Sequence, residues 1–171
     1  MPNLKDLKNR IESVKSTRKI TKAMQMVAAA KLRRAQESAE AGRPYAQRMS
    51  AVVKNLAVGM VTNEDSPKLL TGRSNSKTHL LIVATSERGL CGGFNSSIVK
   101  LVRSKISDLL ANGNEVKIFT VGKKGREQLS REFGSYFVGH FDLSVVKTLS
   151  YQIALSISKE VVSDFNSEKF D

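Results

Sequence analysis

The chain has 171 residues, 40% hydrophobic, 26% charged and only 6% aromatic, with no Trp; this length fits one domain plus an extension, around a modest aliphatic core. Its 28 Lys and Arg against 16 Asp and Glu give a formal charge of +12, which excludes an acidic disordered tail and points to an anionic partner: nucleic acid, an anionic membrane or an acidic protein face. One Cys excludes an internal disulfide framework and a multi-Cys metal site. No apolar window is long enough to span a bilayer, and the N-terminus carries acids and lacks an apolar core, so neither a secretory signal nor a transit peptide is expected. The composition reads as that of a soluble, intracellular, basic protein.

Charge divides the chain unevenly. Residues 1–57 hold 13 Lys/Arg and 4 Asp/Glu, and residues 58–171 hold 15 and 12. The first third is therefore a basic arm, which is also what a solvated helix face looks like. Asn3 can cap a helix there, with Asp6 in its first turn. Leu4, Leu7, Ile11 and Val14 recur at helical spacing, then Arg18, Thr21 and Gln25 interrupt the stripe, and it resumes at Ala28, Leu32, Ala35, Ala39, Ala46, Met49, Val53 and Leu56. Ile20, Met24 and Val27 form a parallel stripe displaced by one residue across the gap. The pattern predicts a long coiled-coil helix with a register shift in its middle. Gly42, Arg43 and Pro44 predict a kink there, with two helices meeting as the alternative. A seam of this length cannot be buried on a domain of some 110 residues; it needs a partner helix that nothing later in the sequence supplies. Within Thr17–Ala30, Ala23, Ala28, Ala29 and Ala30 permit close helix approach, while Arg18, Lys19 and Lys22 add positive charge. An Ala-rich coiled-coil segment and a smooth rod seated in a protein socket both fit.

Residues 58–77 read as a linker, and residues 78–171 as a partial α/β domain. His79–Thr85 is a short apolar run of the kind buried in a parallel sheet. After the loop Ser86–Phe94, Asn95 is expected to cap a helix over Ser96–Leu110 with Ile98, Leu101, Val102, Ile106, Leu109 and Leu110 inward, closed by Asn112-Gly113. Glu115–Val121 is the second strand, Lys123–Phe133 the second helix ended by Gly134, and Tyr136–Phe141 a third short strand. Asp142 or Ser144 is expected to open a last helix through Phe165, burying Val145, Leu149, Ile153, Leu155, Ile157, Val161 and Val162. This order predicts an open sheet with crossover helices. The last helix is expected to lead into another strand, so the sequence reads as incomplete at its C-terminus.

Little in the chain points to catalysis. Arg88–Asn95, RGLCGGFN, sits between a strand and a helix but matches neither dinucleotide nor P-loop spacing; a tight turn with positive φ at Gly89, Gly92 or Gly93 accounts for it. Cys91 could be an activated thiol at a helix N-terminus, yet His79 and His140 stand in unrelated places. No catalytic residue, cofactor site or metal site is assigned.

LKDLKNRIESVKSTRKITKAMQMVAAAKLRRAQ, followed by RPYAQRM and LLIVATSERGLCGGFN, resembles the γ subunit of the F-type ATP synthase, of bacterial type, over essentially the whole chain. The resemblance implies a fold in which a long N-terminal coiled-coil helix precedes a partial open, Rossmann-like α/β sheet domain, with the family's C-terminal helix missing. It also implies a non-catalytic central-stalk rotor, standing inside an α3β3 ring and turned by a proton-driven c-ring. Its partners would be the α and β subunits, the ε subunit and the c-ring, with no nucleic acid, and it would lie peripherally on the cytoplasmic side of the bacterial inner membrane. By similarity, Arg18, Lys19, Ile20, Lys22, Ala23, Met24 and Met26 lie along the rod facing the α and β subunits. The loop residues Arg88, Gly89, Leu90, Cys91, Gly92, Gly93, Phe94 and Asn95 lie near acidic levers of β. Two other readings compete: a basic nucleic-acid-binding arm on a small α/β module, which lacks aromatics for base stacking in residues 1–44, and a free-standing coiled-coil scaffold.

Overall fold

A computed structural model describes residues 3–59, 66–73, 76–146 and 148–171. The chain divides into two compact units, residues 1–66 and 67–171. Parts of the expected linker, residues 60–65 and 74–75, lie outside the described residues. No described helix is long and apolar enough to cross a membrane.

Among the described residues the first unit holds one helix, α1, Leu4–Gly59, of 56 residues, about 84 Å long at 1.5 Å per residue. Its start follows from the sequence: the Asn3 carbonyl accepts from Asp6 and Leu7, and its side chain accepts from the Lys5 amide at 3.4 Å. No residue of α1 is buried, so the stripe from Leu4 to Leu56 stands open along its length. Two helices do not meet at Gly42–Pro44. The α-helix runs through Pro44, where proline removes one amide donor without ending the rod.

The second unit opens with a single turn, α2 (Lys68–Thr71), and continues as β1 (Thr78–Ala84), α3 (Phe94–Ala111), β2 (Glu115–Val121), α4 (Lys123–Phe133), β3 (Phe137–Phe141) and α5 (Tyr151–Asn166). The sheet is wholly parallel in the order β1-β2-β3, as short apolar strands joined by helices require. Thr78 pairs with Glu115 and Ala84 with Val121, while the β2–β3 register shifts between Ile118 and Phe119. Gly139 is fixed by packing, because a β-carbon there would stand 2.5 Å from the Phe119 ring. The core lies between the sheet and the helices α3 and α4: Val83, Val99, Ile106, Leu109, Val116, Ile118 and Leu129.

Three expectations are corrected. Helix α3 starts at Phe94 after Gly93, with no side-chain cap; Asn95 is inside the helix and buried. Its inward stripe runs through Asn95, Val99, Ile106 and Leu109, so Leu101 and Leu110 face outward. The last helix begins at Tyr151, not at Asp142 or Ser144. Asp142 Oδ1 instead accepts from the Ser144 amide at 2.7 Å, and Val146 donates to the Leu143 carbonyl, a local turn that takes the groups a helix start would need. Val145 and Leu149, expected inward, are consequently 83% and 74% exposed. Residue 147 lies outside the described residues.

Asn112 and Gly113 close α3 as expected, with Gly113 at φ 76°. At the far end of the chain the Asp171 carboxylate accepts from the amides of Lys77 and Thr78 at 2.9 and 3.0 Å, and its own amide donates to the Thr78 carbonyl. These bonds hold its carboxyl below the usual 3.8. Arg73 stacks on the Phe165 ring, donates to the Phe165 carbonyl at 2.7 Å and pairs with Glu168.

Candidate functional site

The rod residues come first in the chain. Arg18, Lys19, Ile20, Lys22, Ala23, Met24 and Met26 are all exposed on α1. At about 100° per residue they do not share one face: Arg18, Lys22, Met26, Lys19 and Ala23 sweep about 140°, and Ile20 and Met24 lie further round. Roughly two-thirds of the circumference is involved. Arg18 and Lys22 border a shallow groove with Val14, Thr17, Thr21 and Gln25, which is the polar gap in the stripe. The Thr21 hydroxyl donates to the Thr17 carbonyl at 2.9 Å, leaving the groove floor internally satisfied. Among the described residues of α1 the ion pair is Arg33–Glu37 at 2.8 Å; Arg18, Lys19 and Lys22 have no carboxylate partner there. Their positive field is therefore not neutralised within the helix.

The loop after β1 is built differently. Asn95 sits one residue into α3 and is only 5% exposed. Its Oδ1 accepts from the Ser86 amide at 3.1 Å, and its Nδ2 donates to Ser86 Oγ at 2.8 Å and to Cys91 Sγ at 3.2 Å. The Ser86 hydroxyl in turn donates to the Arg88 carbonyl at 2.6 Å, and the Phe94 amide donates to the Cys91 carbonyl. One buried amide thus ties both ends of the loop together, and the structure brings Arg88–Asn95 into a single projecting turn. Arg88, Gly89, Leu90, Cys91, Gly92, Gly93 and Phe94 are exposed.

The backbone strain falls where the sequence does not announce it. Gly92 has φ 59°, but Gly89 and Gly93 do not turn left-handed; Leu90 does, at φ 63°. A bulky residue in that region is an outlier.

Sequence reasoning missed Thr85 and Glu87. Glu87 Oε2 accepts from the Lys123 amide at 3.2 Å and the Leu143 amide at 3.3 Å. It clasps the start of α4 to the turn after β3, a carboxylate at a helix N-terminus where the dipole favours it. The signal available was an acid directly after a buried strand. Nearby, Asp142 is held below the usual carboxylate range by its bonds to Ser144, and Glu127 by its bond to Lys124. His140 Nδ1 lies 2.9 Å from Thr120 Oγ1. Cys91 is exposed and free, and no histidine is among its hydrogen-bond partners, which are Ser86 and Asn95. Among the described residues no cluster of His, Cys, Asp and Glu has the makings of a metal site.

The family model described as ATP synthase matches residues 3–171. The chain is 61% identical over all 171 residues to the ATP synthase gamma chains of Cereibacter sphaeroides, Dinoroseobacter shibae and Paracoccus denitrificans. It spans 59% of the length of each of these curated relatives. Among solved structures it is similar to the central stalk and c-ring of the Tetrahymena thermophila mitochondrial ATP synthase, with TM-score 0.62 and 30% identity over 85% of this chain and 59% of that one. The rotor of the Euglena gracilis mitochondrial ATP synthase shares the fold, with TM-score 0.53 and 20% identity over 91% of this chain and 51% of that one. The chain belongs to the ATP synthase family.

Proposed function

We propose that this member of the ATP synthase family is a central-stalk rotor subunit, a non-catalytic shaft that couples proton-driven turning of a c-ring to conformational cycling of catalytic β subunits in an α3β3 ring. The observation that carries the reading is α1, a helix of 56 residues with none buried. An apolar seam of that length left open to water is unfavourable by the area it exposes. It is the natural half of a coiled coil. The likeness to a solved central stalk over 85% of this chain supports it.

In this reading α1 faces the α and β subunits through Arg18, Lys19, Ile20, Lys22, Ala23, Met24 and Met26. The loop Arg88–Asn95 lies near acidic levers of β, and the ε subunit and c-ring are further partners. The protein then sits peripherally on the cytoplasmic face of a bacterial inner membrane, held by the complex. The cations spread around the rod suit a turning contact. Coulomb attraction falls off slowly with distance, so it varies gently as the rod rotates, whereas interlocked apolar side chains hold one angle.

The test uses the intact protein assembled with α3β3 and the c-ring, with coupling read as protons moved per ATP hydrolysed. Lys19→Glu and Lys22→Glu are expected to lower it roughly two- to fivefold, the range that exposed ion pairs support, with hydrolysis retained. Unchanged coupling refutes the electrostatic bearing. Failure of the wild-type chain to assemble refutes the rotor reading.

A further inference from the structure

We propose that Leu90 is the apolar anchor by which the loop Arg88–Asn95 seats in a partner subunit, in an apolar pocket rimmed by carboxylates. The inference rests on the rotor reading and deepens it by naming the residue and the chemistry of the contact.

Three observations carry it. Leu90 is fully exposed, at 109% of the reference area, so burial within the described residues gives no reason for a leucine at that position. It holds φ 63° although glycines stand one residue before it and two after it. The loop therefore keeps its strain at the residue with the large side chain, and strain of this kind persists only where the surroundings enforce it. Those surroundings are the second observation. The Asn95 amide, 5% exposed, bridges Ser86 and Cys91, and Ser86 Oγ locks the Arg88 carbonyl at 2.6 Å. The loop is thus a preformed mount, and a preformed anchor spends less ordering entropy on binding than a mobile one.

The third observation sets the partner's chemistry. Arg88, two residues from Leu90, is exposed and has no carboxylate partner among the described residues. A guanidinium beside a projecting leucine fits an apolar pocket with an acidic rim. Such a central apolar anchor with a charged edge is how contact surfaces concentrate their binding.

The experiment measures the rate at which the intact protein dissociates from α3β3, with thermal unfolding of the free protein alongside. Leu90→Asn tolerates positive φ but cannot fill an apolar pocket. It is expected to leave the unfolding temperature unchanged or raise it, and to speed dissociation about 10- to 100-fold, the factor that burying one leucine supports. Leu90→Met, which keeps an apolar chain of similar volume, is expected to dissociate within about threefold of the wild type. If Leu90→Asn dissociates at the wild-type rate while the wild type binds, the anchor is refuted and the rotor reading stands. If Leu90→Met is as impaired as Leu90→Asn, burial in an apolar pocket is also refuted. If the wild type does not bind, the rotor reading itself fails.

Discussion

The Gly125 amide donates to Thr85 Oγ1 at 2.8 Å, and a β-carbon on Gly125 would stand 2.6 Å from Thr85 Cγ2. The end of β1 and the first turn of α4 are therefore held at a separation only glycine permits. Gly125→Ala is expected to destabilise the protein by about 1–3 kcal/mol, the usual cost of overpacking, and Thr85→Val by a similar amount, because it strands the buried Gly125 amide. Urea unfolding of the intact chain checks both. The double variant is expected to cost less than their sum, since both act on one contact.

Asn95 holds the loop by hydrogen bonds to Ser86 and Cys91. Asn95→Ala leaves the Ser86 amide without its partner, at about 1–3 kcal/mol, and frees the loop. The expected signature is faster modification of the Cys91 thiol by a maleimide. Asn95→Asp keeps the acceptor for the Ser86 amide but removes the donor to Ser86 Oγ and to Cys91 Sγ, so it is expected to fall between wild type and Asn95→Ala in unfolding free energy.

Asp171 supplies a pH dependence. Its carboxylate accepts from the Thr78 and Lys77 amides, which lowers its pKa from 3.8. A lowered folded value means that the unfolded chain binds the proton first as pH falls. The stabilisation is fully present above about pH 4 and is lost as pH drops through the lowered folded value. Thermal unfolding followed from pH 7 to pH 2 is expected to show a shallower acid limb in Asp171→Asn than in the wild type.

Burial separates the two units energetically. Leu129 is 0% exposed, and Leu129→Ala is expected to cost about 2–5 kcal/mol. Leu32 on α1 is 60% exposed, and Leu32→Ala is expected to stay within about 0.5 kcal/mol in the free chain. Under the rotor reading, Leu32→Ala becomes costly once a second helix covers it. Comparing its thermal shift free and assembled checks this.

Periodic segments were legible in the chain. The second strand and second helix occur over the expected residues, Glu115–Val121 and Lys123–Phe133, because each is short, bounded by Gly113, Gly122 or Gly134, and patterned for its own period. The last helix starts nine residues after Asp142 and seven after Ser144, the two positions the pattern suggests, at Tyr151. Apolar spacing continued through Val145 and Leu149, while the Asp142–Ser144 turn decided the backbone. The loop Arg88–Asn95 was legible as a turn and as a family motif. Its mechanics were not: the pattern suggests a cap at Asn95, whereas its side chain points back to Ser86, nine residues earlier.

The charged rod, the open seam and the alternation of strand and helix all follow from the order of polar and apolar residues along the chain. Folding, and not local order, sets the positive φ at Leu90, Glu87 at the start of α4, and the space that Gly125 leaves for Thr85. The last two depend on groups that the parallel sheet brings together from distant places in the chain, and the first on bonds from the Asn95 side chain back across the loop. Local periodicity holds no record of which carboxylate meets which amide; that is settled by packing.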